Sequence, residues 1–301
     1  VKNIWLFVRL SRPHFLAGAM LLYALGVGIA HYLGEPVNLG IYLVGQVWGS
    51  LIQLSTHYLN EYFDARADID NPTRTPFSGG SGAIGPGKLP RSIALWAGVS
   101  CLAFASSLTV VLLQIAHPTP VTLLVMVLIF LGAFFYAVPP LRLESSGYGE
   151  LVTSLIVANL VPAFAYLIQV GEPHRLLAMV TFPLTAMHMA MLLAIELPDY
   201  GNDLKYQKRN LLVRIGWQNG MRMHNVLVIS SYLILMLAVA LDLPLSIALP
   251  SFLTFPVGLL QIWTMNRIGG GARPNWFSLT LVAVLLFGSI TYLLAFAFWR
   301  P

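Results

Sequence analysis

Apolar residues in this chain run in long blocks instead of alternating or forming a narrow stripe. Nine stretches come near the about 20 residues needed to cross a hydrocarbon core. They are 14–33, 39–59, 92–116, 119–138, 149–170, 176–197, 223–241, 245–265 and 277–298. The runs are too long for strands and lack period-two alternation. Gly132, Pro162, Pro183 and Pro256 interrupt several of them. Membrane helices tolerate such breaks because neighbouring groups re-satisfy the freed backbone. The pattern therefore predicts an all-α integral membrane protein with nine transmembrane helices, residues 1–301 forming one domain.

Composition strengthens this reading. Of 301 residues, 57% are hydrophobic and 10% charged, whereas a soluble domain carries about 25% charged residues. A chain this short cannot bury so much apolar surface in water, so the lipid bilayer is its expected solvent. The net charge of +5 does not mark a nucleic-acid binder, because the basic residues sit in short segments between apolar spans. With the N-terminus placed in the cytosol and strict alternation, 15 of the 17 Lys and Arg fall on the inside. Only Arg175 and Arg300 fall outside. Such asymmetry is the positive-inside signature, and it predicts a multi-pass cell-membrane protein with its N-terminus in the cytosol.

The N-terminal residues Val1–Trp5 lack the pattern of a cleaved signal, so the first span is expected to be retained. Trp5, Phe7 and Leu10, set against Lys2, Arg9 and Arg12, suggest a helix lying in the membrane interface. The single cysteine, Cys101, lies in an apolar run and has no partner for a disulfide or a metal site. Nothing in the chain signals an oligomeric state.

Two long polar loops, near Asn60–Arg91 and Asp199–Arg222, lie on the cytosolic side and direct attention there. At the end of the second span, Asn60, Asp64 and Asp68 repeat every fourth residue and share one helix face. Gln53 and His57 continue the stripe inward. A polar stripe on a membrane helix must face protein or a wet cavity. At the end of the sixth span, Asp199 and Asp203 again stand one turn apart. If these two helices approach each other, four carboxylates and one amide converge. Their mutual repulsion is relieved by a divalent cation, and hard oxygen donors suit Mg²⁺. Mg²⁺ usually binds through few carboxylates together with substrate phosphates, so a diphosphate bridged by one or two Mg²⁺ ions is the implied ligand. Arg66, Arg74, Lys88, Lys208 and Arg209 are candidates to neutralise the remaining phosphate charge. The glycine-rich run Ser78–Lys88 offers clustered backbone N–H groups, but Leu89 after Lys88 breaks the phosphate-loop motif. A phosphate cradle, a lid and a plain loop all fit it.

These motifs resemble the UbiA superfamily of membrane prenyltransferases. Asn60-x3-Asp64-x3-Asp68 is similar to its first motif and Asp199-x3-Asp203 to its second, in the same order and at helix ends. The tail Lys208-Arg209-Asn210-Leu211, followed by Val213-Arg214-Ile215-Gly216, is similar to the 1,4-dihydroxy-2-naphthoate prenyltransferase branch of menaquinone synthesis. The resemblance implies nine helices around a central cavity, with a cytosolic cap over a Mg²⁺-diphosphate site. It implies that Asn60, Asp64, Asp68, Asp199 and Asp203 hold the metals and that Lys208 contacts diphosphate. The substrates implied are an isoprenyl diphosphate and a small aromatic acceptor. After Tyr136, where some relatives carry a lysine, this chain offers only Arg142. Thr75-Pro76-Phe77 stands where other branches place arginine-proline-leucine. Both departures point away from the ubiquinone, haem and chlorophyll branches.

Electrophilic alkylation of the acceptor needs an apolar tunnel and exclusion of water. His57, Tyr62, Tyr136, Asn159 and His188 are the candidates to line it, with Tyr136 also placed to meet diphosphate. Asn159 and His188 sit mid-span, where polar groups mark function or bond a neighbouring helix. 4-Hydroxybenzoate, homogentisate and geranylgeranylglyceryl phosphate are alternative acceptors. A transporter is the rival class, but no inverted repeat relates the halves. A CDP-alcohol phosphotransferase would need one compact acidic motif, which this chain lacks.

Overall fold

The computed structural model describes residues 2–300. Ten helices make up most of it. A short helix α1 (Lys2–Leu10) precedes α2 (Pro13–Tyr32), α3 (Leu39–Ile69), α4 (Arg91–Ile115) and α5 (Pro120–Ala137). Next come α6 (Gly149–Val170), α7 (Arg175–Glu196), α8 (Trp217–Ala240), α9 (Leu245–Gly269) and α10 (Trp276–Trp299). No strand forms among the described residues, apart from an isolated bridge between Ile84 and Leu89.

Eight helices are long and apolar enough to cross a bilayer: α2, α4, α5, α6, α7 with its extension to Lys205, α8, α9 and α10. The ninth stretch expected from the sequence, 39–59, lies within α3, which is not among the eight. The cause is the polar stripe itself. Gln46, Gln53, Ser55, Thr56, His57 and Asn60 dilute the apolar run, and Asp64 and Asp68 extend the helix past it. At 31 residues, α3 is about 46 Å long, well beyond the about 30 Å of a hydrocarbon core.

Helices α2, α3, α5, α6, α7 and α10 surround a central cavity. Helix α4 packs on the outer side of α3, α8 on α7, and α9 on α8 and α10. Inside α6, Ile156–Leu160 is π-helical. Pro162 follows at once, and its missing N–H leaves the carbonyl four residues earlier without its usual donor.

At one end of the bundle the chain closes over itself. Lys2 reaches the Gly87 carbonyl at 3.4 Å, and α1 lies along α3. The segments 70–90, 138–148 and 206–216 meet at this same end through the contacts described below. The other end is plain: Asn38 N–H donates to Gln169 at 2.9 Å, Thr119 to the Gly171 carbonyl at 2.8 Å, and Arg175 pairs with Asp242 at 3.6 Å.

Candidate active site

Helical periodicity sets Asn60, Asp64 and Asp68 on one face of α3, and that face points into the closed end. Asn60 Nδ2 donates to Glu144 at 2.5 Å and to Asp64 at 3.3 Å. Asp64, 5% exposed, accepts from Arg142 Nη2 at 3.0 Å and from Lys208. Arg142 also holds Glu144 at 2.7 Å. Burial alone would lower the Lys208 ammonium's pKa, but Asp64, Glu144, Asp203 and Asp68 surround it and raise it above its usual value. One cation is thus the electrostatic meeting point of both acidic motifs. Glu144 is pushed up to about 8, first by burial and then by the Asp64 charge.

The second acidic motif reaches the site because α7 does not stop at Glu196. Pro198 tightens the chain into a 3₁₀ turn, and a further helical turn, Tyr200–Lys205, carries Asp203. Asn202 Nδ2 donates to the Ala67 carbonyl at 3.0 Å and ties this extension to the end of α3. Asp203 accepts from Asn210 at 2.9 Å, and Asn210 also caps the short helix Leu211–Ile215 through Val213 N–H at 2.9 Å. Glu150 takes the Leu211 N–H at 2.6 Å. Among the described residues, the second oxygens of Glu150 and Glu196 are buried with no hydrogen-bond partner.

The glycine-rich loop lies directly on the carboxylates. Gly79 and Gly80 have φ of +72° and +75°, a region that side chains rarely adopt. A Cβ on Gly80 would stand 2.2 Å from Asp68 Oδ2, and one on Gly79 would stand 2.9 Å from Asp199 Oδ1. Only glycine lets the backbone cover both acids. Asn71 Nδ2 donates to Asp199 at 2.7 Å, and Thr73 to the Pro198 carbonyl at 2.5 Å. Arg74 spends its donors on this loop, meeting the Gly79 carbonyl at 2.7 Å and the Asp68 carbonyl.

Glu61, 2% exposed, stands two turns before Asp68 on the same side of α3 and binds two segments together. It takes Arg12 Nη2 at 2.5 Å, Ser81 N–H at 2.5 Å and Ser81 Oγ at 2.7 Å. Ser11, just before Arg12, meets the Tyr58 hydroxyl at 2.6 Å, and its carbonyl lies 3.0 Å from His57 Nδ1. The junction of α1 with α2 and the glycine loop are therefore held by the same stretch of α3.

Below Asn60 opens a cavity of about 700 Å³. Arg12, His57, Asn60 and Tyr136 line its polar mouth, while most of its wall is apolar. His188 lines it deeper down, its Nδ1 3.0 Å from Ser154 Oγ. Two expected lining residues are elsewhere. Asn159 turns to Thr181 at 2.8 Å and bonds α6 to α7; it does not line the cavity. Tyr62 sits on the far side of α3, with the Arg91 guanidinium 4.4 Å above its ring. Among the expected cations, Lys208 and Arg142 are in the site and Arg74 shapes its loop. Arg66 and Arg209 are exposed, and Lys88 holds the Gly82 carbonyl at 2.8 Å. Among the described residues, no three His, Cys, Asp or Glu side chains are arranged to hold a metal by themselves.

The architecture has known counterparts, and the sequence profile of the UbiA prenyltransferase family matches residues 19–284. The chain belongs to the UbiA prenyltransferase family. A UbiA homologue from Archaeoglobus fulgidus, solved with GPP and Mg²⁺, superposes with a TM-score of 0.64 over 96% of this chain and 99% of its own, at 16% identity. An apo UbiA homologue from Aeropyrum pernix K1 gives 0.64 over 93% and 96%, at 12% identity. In sequence, the chain is 23% identical over 212 residues to the 1,4-dihydroxy-2-naphthoate octaprenyltransferase of Bacillus subtilis. That match takes in 69% of this chain and spans 65% of the relative's length.

In this UbiA family member the sequence motifs did not reveal Glu61, Glu144 or Asn71. Glu61 had a usable signal: a carboxylate on a membrane helix must be paired. Glu144 and Asn71 had none, since each lies in a loop and meets Asn60 or Asp199 from 84 and 128 residues away in the chain.

Proposed function

We propose that this protein is a Mg²⁺-dependent prenyltransferase that moves a prenyl chain from an isoprenyl diphosphate to a small aromatic acceptor, 1,4-dihydroxy-2-naphthoate. The observation that carries this reading is the position of two acidic motifs, joined through Lys208, at the mouth of a large apolar cavity. The acceptor rests on the tail after Asp203 and on likeness to the Bacillus subtilis enzyme. The UbiA homologue solved with GPP and Mg²⁺ supports the donor and the metal.

The donor set suits Mg²⁺. Asn60, Asp64, Asp68, Asp199 and Asp203 offer only oxygens, and they need not enclose the ion, because diphosphate oxygens and water complete its shell. Bound there, Mg²⁺ would stabilise the charge that develops on the departing diphosphate. Lys208 and Arg142, which now neutralise Asp64, are the cations to share with the phosphates. The prenyl chain occupies the apolar cavity below. As the allylic C–O bond breaks, the electron pair leaves with diphosphate. An electron-rich carbon of the acceptor then forms the new C–C bond and loses its proton. His57 and Tyr136 line the mouth where the acceptor ring would sit, and the glycine loop excludes water from the cation. Residues 1–301 act as one unit, α3 crosses the membrane as a ninth span, and the capped end faces the cytosol in the cell membrane.

The test is direct. Purified protein in lipid nanodiscs is incubated with Mg²⁺, geranylgeranyl diphosphate and each of four acceptors: the naphthoate, 4-hydroxybenzoate, homogentisate and geranylgeranylglyceryl phosphate. Mass spectrometry follows prenylated product. Product with the naphthoate that needs Mg²⁺ and disappears in Asp64→Asn is the expected result. Product with another acceptor would move the assignment to that branch. No product and no diphosphate release would favour transport.

A further inference from the structure

The polar mouth of the cavity holds one side chain whose hydrogen the backbone places. His57, one turn below Asn60 on α3, sets Nδ1 at 3.0 Å from the Ser11 carbonyl. A carbonyl oxygen only accepts, so Nδ1 carries the hydrogen. In the neutral ring Nε2 then carries a lone pair. The ring is held in this pose. Ser11 lies where α1 meets α2, its hydroxyl touches Tyr58, and the next residue, Arg12, is tied to Glu61. Phe15 packs edge-on against the imidazole at 6.3 Å. Among the described residues His57 Nε2 has no hydrogen-bond partner, and it is not sealed off as His14 Nε2 and Gln53 Oε1 are. It is left for a molecule in the cavity that His57 lines.

The level along the helix is also right. Three residues separate His57 from Asn60, a rise of about 4.5 Å. A donor whose diphosphate sits at Asn60 and Asp64 therefore brings its allylic carbon down toward His57. The other titratable groups lining the cavity are less suited to take a proton there. Tyr23, Tyr136 and Tyr292 are phenols, which keep their own proton at neutral pH. His188 precedes Asp199 by eleven residues, about 16 Å of helix, and its Nδ1 meets a serine hydroxyl that can donate or accept. Asp64 and Glu144 are both held by Arg142.

We propose that His57 is the general base of the reaction and takes the hydroxyl proton of the aromatic acceptor on Nε2. The proposal rests on the prenyl-transfer reading above and adds the group that receives the proton. The acceptor's O–H bond breaks and its electron pair stays on oxygen, which enriches the ring carbon that attacks. That carbon bonds to the allylic carbon, whose C–O bond breaks with both electrons on diphosphate. The ring ketone so formed regains its hydroxyl when the proton on the alkylated carbon moves to oxygen. One proton ends on His57 as one negative charge is added to diphosphate, so the imidazolium offsets the charge that develops above it.

The experiment gives the protein in nanodiscs Mg²⁺, geranylgeranyl diphosphate and the acceptor that yields product in the four-acceptor assay, between about pH 6 and about pH 10. The wild-type kcat should fall on the acid side, where the imidazole binds a proton. His57→Gln should lose about a hundredfold in kcat at neutral pH with the donor KM unchanged. Its deficit should narrow as pH rises and the acceptor ionises unaided. Added imidazole should restore part of the rate to His57→Ala. Arg12 and His14 face His57 from the start of α2, and Tyr136 of α5 lines the same mouth. Arg12 is neutralised by Glu61, and His14→Gln should keep the acid limb. A kcat within about threefold of wild type in His57→Gln would overturn the base. So would a loss of equal size at every pH without imidazole rescue, which marks packing alone, or an acid limb that vanishes in His14→Gln. Prenyl transfer would stand in each of these cases. No turnover and no diphosphate release by the wild type would overturn both.

Discussion

At the mouth of the cavity, Asp64 meets Lys208 and Arg142, Asp199 meets Asn71, and Asp203 meets Asn210. Deeper in the cavity, Tyr23, Trp48 and Phe164 meet chiefly one another. The mouth is assembled from helix ends and three loops, and charge holds it together. The deep wall is made from the middles of helices and owes its form to shape. Buried polar networks demand that every member be satisfied, so the mouth is sensitive to the loss of single atoms. Packed apolar surfaces lose energy in proportion to the volume removed, so the deep wall responds by degree. The two regions divide the labour of the proposed reaction, one handling the leaving group and the other housing the tail.

The sharpest way to test this division is to remove divalent cations with a chelator. Product formation should fall to background and return when Mg²⁺ is restored, while the helical circular dichroism spectrum stays the same. Asp64→Asn comes next. It keeps the shape of the side chain and removes the charge, and kcat/KM should fall by about a thousandfold, or about 4 kcal/mol. A fall of less than tenfold would mean that the mouth does not work through charge.

Glu61→Ala should cost about 3 kcal/mol of stability, because it leaves Arg12 uncompensated and frees Ser81. Thermal unfolding in detergent would read the loss. A Tm equal to the wild type's would show that the knot at Glu61 carries no load. Two amide substitutions give the finest contrast. Asn202→Ala and Asn159→Ala each remove one hydrogen bond of about 1 kcal/mol. Only Asn202 joins α3 to the extension that bears Asp203, so only its loss should lower kcat, by about tenfold. Equal effects on turnover would erase the distinction between mouth and membrane interior.

The helices were legible from apolar runs because lipid leaves no alternative partner for the backbone. Helix α3 shows where that signal weakens: the stripe that carries the chemistry is what lowers its hydropathy. Asn60, Asp64, Asp68, Asp199 and Asp203 were legible because i, i+4 spacing is local. Their partners were not, since Arg142 and Lys208 reach Asp64 from loops 78 and 144 residues away in the chain. Periodicity also could not distinguish which side of a helix faces the cavity, so Asn159 and Tyr62 were expected beside His57, Tyr136 and His188, and only the latter three line it. The glycine run was readable as a loop. That it lies on Asp68 and Asp199 becomes evident only when the absence of Cβ atoms is set against its neighbours.

The Glu61 knot has a practical meaning for handling this protein. Helix α1 presents Ile4, Trp5 and Val8 outward, and two residues beyond its end Arg12 is fastened to the same carboxylate that grips Ser81. A pull on the amino terminus is therefore transmitted through a rigid linkage to the cover over the acids. A bulky fusion or a truncation ahead of Pro13 works as a lever on the mouth of the cavity. Trp299, near the end of α10, instead stacks on His31 at the far end of α2, so an affinity handle placed after it pulls away from the mouth.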